Sequence, residues 1–333
     1  MERPVALPVA PGTGGTSAIS AEASTAGVAA VDIGTLGGLY SSAWAINGQG
    51  VIAGTSQLPN GSLHMFVREA DGTMIDAGVP AFARYAFPKS INSDGVVVGT
   101  TDQPRVAFRW TRRGGFQSLG GFAGECWAMD VNDRDEVVGF GEVAPGSGRL
   151  FAALWRPDTA MTLLSPPTGA SSFGYAINNA GVVVGGTYDA AGTRRAFRWT
   201  PATGVRDVGA PGYANSAADI NNRGTIVGDF ELLDGTVRGF RLDDPWRGVD
   251  LGFFGDGRFV SPVAIGDDGS TVSLALDARS GFHSVRQRGA QQVELLPVVG
   301  SAIVLDVNRC GRAVGYSEIP SGAQHAVLWP GWC

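Results

Sequence analysis

Three residues of this chain combine side-chain type and setting in a way that suits proton transfer. Lys89 is the only lysine among 333 residues, and it follows the apolar stretch Ala86-Phe87-Pro88. A lysine desolvated among apolar neighbours has a lowered pKa and can act as a base or an amine nucleophile. The competing reading is that its stem packs while its ammonium reaches solvent. Glu125, two residues before Trp127, could be a carboxylic acid of raised pKa fit for general acid work, or a solvated loop carboxylate. Asp256 is a third isolated charge, beside Phe253, Phe254 and Arg258. Lys89, Glu125 and Asp256 are therefore the candidate catalytic residues. Trp44, Arg84, Tyr85, Trp127, Tyr175, Tyr213, Phe254 and Arg258 are the candidate ligand-binding residues. An aromatic wall with few charges is the usual character of a small-molecule site, although some of these rings are expected to serve ordinary packing.

What would position these residues is a repeat. Ile177-Asn178-Asn179-Ala180-Gly181-Val182-Val183-Val184-Gly185 is rewritten at Ile46–Gly54, Ile91–Gly99, Val131–Gly139, Ile220–Gly228 and Val307–Gly315, with a worn copy at Ile265–Gly269. Asn and Gly supply a tight turn, and the Val/Ile run supplies a strand. Anchored on the Asn, with Asp267 in the worn copy, the steps are 45, 40, 46, 43, 46 and 41 residues. A third strand follows, as in Arg195-Ala196-Phe197-Arg198-Trp199. A fourth ends near Asp-x-Gly, as in Asp76-Ala77-Gly78. Periods near ~40–45 with four short strands are the signature of propeller blades. The expectation is all-β: a seven-bladed β-propeller of four-stranded antiparallel blades. The last copy stops at its third strand, and Val31–Gly34 is a spare fourth one. Residues 31–34 are expected to close the ring by joining the last blade. Residues 1–29 read as a flexible leader and 30–333 as one domain. Lys89 is aligned with Trp44, Met129, Tyr175, Ala218, Val263 and Leu305, a lone cation at a mostly apolar place.

The stretch Asp32-Ile33-Gly34-Thr35-Leu36-Gly37-Gly38, then Ser42-Ala43 with Ile46-Asn47 and Gly50, then His64-x-Phe66, resembles the bacterial HAF-repeat family, named for a His-Ala-Phe triplet and described as extracellular. The resemblance spans residues 32 to 329. It implies a β-propeller and carries over no activity, since the family has no shared catalytic motif.

Composition excludes several classes. A net charge of −6 offers no basic field for nucleic acid or anionic lipid, and no apolar run is long enough to span a membrane. There is no phosphate loop, dinucleotide fingerprint, HExxH, paired CxxC or Gly-x-Ser-x-Gly. The glycines, 50 in all, read as turn glycines. His64, His283 and His325 share one repeat position, the start of the third strand, and are expected to be structural polar residues, since equivalent positions spread around a ring do not converge on a metal. Asp130, Asp219 and Asp306 share another position. They are expected to accept backbone N–H bonds from the next blade, the competing reading being a Ca²⁺-holding carboxylate cluster. No metal and no cofactor are expected. Cys126, Cys310 and Cys333 read as buried free thiols, with pairing of Cys310 and Cys333 as the alternative.

The preferred function is a small-molecule site at the channel mouth, for a hydrophobic or partly polar molecule. It either only binds or runs an acid/base cyclisation, isomerisation or elimination. The alternatives are a protein-interaction scaffold and a secreted carbohydrate-binding module. The chain is expected to be a monomer and cytoplasmic, or secreted if a signal has been removed.

Overall fold

The computed structural model describes residues 27–332 apart from 158, 165–170, 190, 211 and 245–246, and all of the described regular structure is β. Each copy of the repeat is an antiparallel hairpin, and Asn178 shows why. Its side-chain oxygen accepts the N–H groups of Ala180 and Val182 at 3.0 and 3.1 Å, which fixes the turn. Its amide donates to the Asn221 carbonyl of the next copy at 3.1 Å. Asn47, Asn92, Asn132 and Asn308 make the same donation to the next turn residue in order. The turns thus form a belt that ties neighbouring repeats together. The worn copy is shifted by one residue from the sequence alignment. Gly266, not Asp267, takes the place of the Asn, receiving the Asn221 amide at 3.2 Å and bonding to Ser270 as Asn221 does to Thr225. Asp267 instead accepts the Asn222 N–H at 2.8 Å, as Asn222 does from Asn179.

The hairpins extend into five separate four-stranded sheets and one of nine strands. The larger sheet comprises two antiparallel four-strand sets, bridged by one parallel pair, Val237 with Phe259, and flanked by Val28–Ala29. The innermost strands are Ser41–Ile46, Ala86–Ile91, Cys126–Val131, Ser172–Ile177, Ala214–Ile220, Phe259–Ile265 and Val299–Val307. Each contacts the next, and the last contacts the first, so they close a ring around a central channel. The core lies between adjacent sheets. One cluster joins Ala45, Met65 and Val67 to Ile91, Val97, Phe108 and Trp110, and others repeat the arrangement around the ring.

The strand Val31–Asp32 completes the sheet of the last repeat. Val31 and Asp32 pair antiparallel with Leu328 and Val327, and Ile33 N–H donates to the Ala326 carbonyl at 3.0 Å. The leader boundary needs correction. Residues 1–26 lie outside the described residues, but Val28–Ala29 is a strand parallel to Gln291–Leu296, with Val28 and Ala30 packed on the core there.

The histidines take the structural role expected of them. His64 meets Asp76 at 2.8 Å, His325 meets Asp32 at 2.8 Å, and Arg238 at the same position meets Asp250 at 2.7 Å. These acids open the Asp-x-Gly segments, and each also accepts the N–H of its glycine. That contact fixes the end of the fourth strand at a residue with positive φ, +78° at Gly78 and +83° at Gly34, which glycine adopts without strain. Cys126 is a buried free thiol, whereas Cys310 is disulfide-bonded, against the free-thiol expectation. Cys333 lies outside the described residues.

Candidate functional site

All seven innermost strands carry a β-bulge, and the bulges fall at equivalent residues. The pairing register skips Trp44, Lys89, Met129, Tyr175, Ala218, Val263 and Leu305. A bulged residue is released from its ladder and its side chain is re-aimed. Here all seven line one cavity of about 420 Å³ in the channel. The repeat alignment had grouped these residues; the bulge is the physical reason they share one layer.

The bulge also explains the glycine that closes each repeat. A Cβ on Gly185 would lie 1.9 Å from the Phe173 carbonyl oxygen of the innermost strand, and on Gly139 1.9 Å from that of Trp127. Gly54, Gly99, Gly228 and Gly315 face the same approach. None of these six has positive φ, so they are close-approach glycines within strands and not the turn glycines expected from the sequence.

Lys89 is partly buried, and burial lowers its pKa. Its Nζ lies 4.5 Å from the centre of the Trp44 ring, and it forms no ion pair among the described residues. Trp44 is held by a 3.2 Å hydrogen bond to Thr55 and an edge contact with Phe87. Tyr175, raised in pKa chiefly by burial, stands over Phe173 and edge-on to Phe140, which stacks on Trp127. Arg194 and Asp229 also line the cavity and pair at 3.0 Å, so this second cation is neutralised locally. Sequence reasoning missed Phe140, Arg194 and Asp229. They stand on the second and third strands, where nothing in the repeat marks Arg194 and Asp229 as lining the channel or Phe140 as packing behind it.

The other candidates are not gathered here. Glu125 is exposed and sits 3.5 Å from Arg105, and Asp256 is exposed and accepts the Ala278 N–H at 3.3 Å. Neither lines the channel cavity, so the three candidate catalytic residues do not form one site. Arg84 lies over the Tyr85 ring, Arg258 and Tyr213 are exposed, and Phe254 packs against His283 and the Val260 cluster. Of the candidate ligand-binding residues, Trp44 and Tyr175 line the cavity, and Trp127 supports it from behind through Phe140.

One layer below Lys89, three carboxyls form the floor. Asp130, Asp219 and Asp306 line both this cavity and a polar one of about 230 Å³ opening at the belt of turns. Each spans to the next repeat as expected, accepting N–H from Ile177, Ile265 and Ile46 at 2.7, 2.7 and 2.8 Å. They are walled by protein yet keep a part-exposed face toward the channel. Enclosure, reinforced by mutual repulsion, pushes Asp219 up to about 7 and Asp306 up to about 8, and burial raises Asp130 as well. Among the described residues no group of three or more acidic, histidine or cysteine side chains is arranged to hold a metal ion.

A pH dependence follows. A carboxyl whose folded pKa is raised stabilises most below its unfolded value near 3.8, and that contribution is lost as pH rises toward the folded pKa. His283, raised because Glu294 and Asp277 outweigh its burial, acts in the same direction. The melting temperature should therefore fall between pH 5.5 and 8.5, and Asp306→Asn should flatten that slope whatever its absolute stability. A melting temperature that is level or rises over this range would contradict the assignment.

No protein-family model matches the chain, and no curated protein is significantly similar to it in sequence. Solved structures do resemble it. Virginiamycin B lyase from Staphylococcus aureus superposes with a TM-score of 0.56 at 11% identity, over 90% of this chain and 98% of that one. A streptogramin B lyase gives 0.56 at 12%, over 90% and 96%. A puromycin hydrolase gives 0.56 at 15%, over 89% of this chain but only 52% of that one. At such identities the likeness shows the fold alone, and the fold is a β-propeller.

Proposed function

We propose that this chain is a seven-bladed propeller, two of its blades bridged by the Val237–Phe259 pair, that binds a small molecule in its central channel. The observation that carries the reading is the bulge layer. Seven equivalent residues are released from their ladders toward one cavity, and there the repeat varies from large aromatic (Trp44, Tyr175) through cation (Lys89) to small apolar (Ala218, Val263). Packing alone would favour similar residues at equivalent places, whereas a shaped site requires them to differ. Any acid/base step of the cyclase, isomerase or lyase type would rest on Lys89 and Tyr175, the titratable side chains of that layer, and not on Glu125 or Asp256. The HAF-repeat resemblance remains our reading of the motifs, and the Cys310 disulfide favours the secreted alternative over the cytoplasmic one.

Soaking crystals with a set of small aromatic compounds tests the reading. Density should appear between Trp44, Lys89, Tyr175 and Ala218, and Ala218→Trp, which fills that space, should abolish binding of the same compounds. Density confined to the outer faces would favour the scaffold or carbohydrate-binding alternative. One feature speaks for a scaffold: Leu39, Tyr40, Phe82 and Tyr213 are exposed in segments that lead into the innermost strands.

A further inference from the structure

We infer that the channel site selects a flat apolar molecule carrying one carboxylate, with Lys89 as its counter-ion. This rests on the channel being the binding site and goes on to name the chemical class that it takes. Among the described residues the cavity is lined by two cations, and only Lys89 lacks an ion-pair partner. Arg194 is matched by Asp229 at 3.0 Å, while Lys89 has the face of Trp44 at 4.5 Å and no carboxylate. The acids of the floor do not serve it either. Asp130, Asp219 and Asp306 direct their oxygens to backbone N–H groups, with Ser90 Oγ donating to Asp130 at 2.6 Å.

A half-buried ammonium with only an aromatic face for company has lost hydration without gaining an ion pair. A carboxylate entering from the mouth would restore that pairing as a charge-assisted hydrogen bond in a partly enclosed setting. The remainder of the layer fits the remainder of such a molecule. Met129, Val263 and Leu305 offer apolar contact, and Ala218 leaves room on the far side of the ring from Lys89. A second cation on the ligand would meet Lys89 with like charge. A neutral amide would leave the ammonium without its counter-charge.

The test is calorimetric titration of the full chain with 2-naphthoate, 2-naphthamide and 2-naphthylmethylammonium. The carboxylate should bind roughly tenfold or more tighter than the isosteric amide, and the ammonium weakest. In Lys89→Met, which keeps the apolar stem, the carboxylate should lose its advantage over the amide. Lys89→Arg, which keeps the charge, should retain most of the preference and guards against a folding defect in the first variant. If carboxylate and amide bind alike, and Ala218→Trp removes both, the channel is a binding site but the anion inference is wrong. If no probe binds the wild type, the inference falls together with the reading beneath it.

Discussion

Gly185→Ala should lower stability by about 3 kcal/mol, the upper end of the range for forcing atoms into a packed interior. The new Cβ would lie 1.9 Å from the Phe173 carbonyl oxygen, a backbone atom that cannot swing aside, and 3.1 Å from the Phe197 ring. Relief requires the innermost strand to move away from its partner at the bulge that aims Tyr175 into the channel. Two effects should therefore appear together: a melting temperature lower by several degrees, and weaker binding of whatever the channel holds. Gly186→Ala, one residue on, separates them. Its Cβ would meet Ser216 Oγ at 3.0 Å and approach Tyr175 and Arg194, so it should disturb the cavity at a stability loss within about 1 kcal/mol. Ser273 stands opposite the bulge of the sixth repeat, paired with Pro262, so a Cβ at this place is compatible with the fold. It is incompatible with the strand spacing of the fourth repeat. Equal stability of Gly185→Ala and the wild type would mean that this spacing is soft and that the glycines have another origin.

That glycine marks where the sequence stopped being legible. The Asn turns, the four strands of each unit, the closing segment at Val31 and the His–Asp positions could all be read, because each depends on a local pattern repeated on one period. The common layer of Lys89 and its equivalents could be read for the same reason. The bulge could not, because an extra residue in a strand leaves no mark unless its partner is known. Glu125 and Asp256 lie in connections whose length changes from copy to copy, so the period says nothing about where their side chains go. Arg194 and Asp229 belong to two different repeats and meet only when those repeats pack side by side. The register at Gly266 was not legible because its turn keeps the backbone bonds to Asn221 and Ser270 without the Asn side chain that marks the other copies.

A chain beginning at Thr35 should lose on the order of 5 kcal/mol or fail to fold. It lacks the ladder to Leu328 and Val327, the Ile33 bond to Ala326, the Asp32 partner of His325, and the packing of Val28, Ala30 and Ile33. At about 1 kcal/mol for each hydrogen bond and about 1.5–3 kcal/mol for a well-buried aliphatic side chain, these contributions reach that size even with partial burial. The exposed edge would be Gln324–Trp329, which carries the fully buried Ala326, Val327 and Trp329. An open edge of that kind pairs with other chains, so aggregation should accompany the loss. Position in the sequence should matter little, because only the docked strand closes the ring. Appending residues 27–34 after residue 333 through a flexible linker should therefore restore a monomeric, cooperative unfolding transition. Asp32→Asn in the intact chain isolates the ion pair and should cost much less, since both partners are partly solvent-exposed. If the truncated chain melts like the full one, the opening strand merely decorates a ring already held by contacts between Val299–Val307 and Ser41–Ile46, and the closure ascribed to it is not what holds the ring shut.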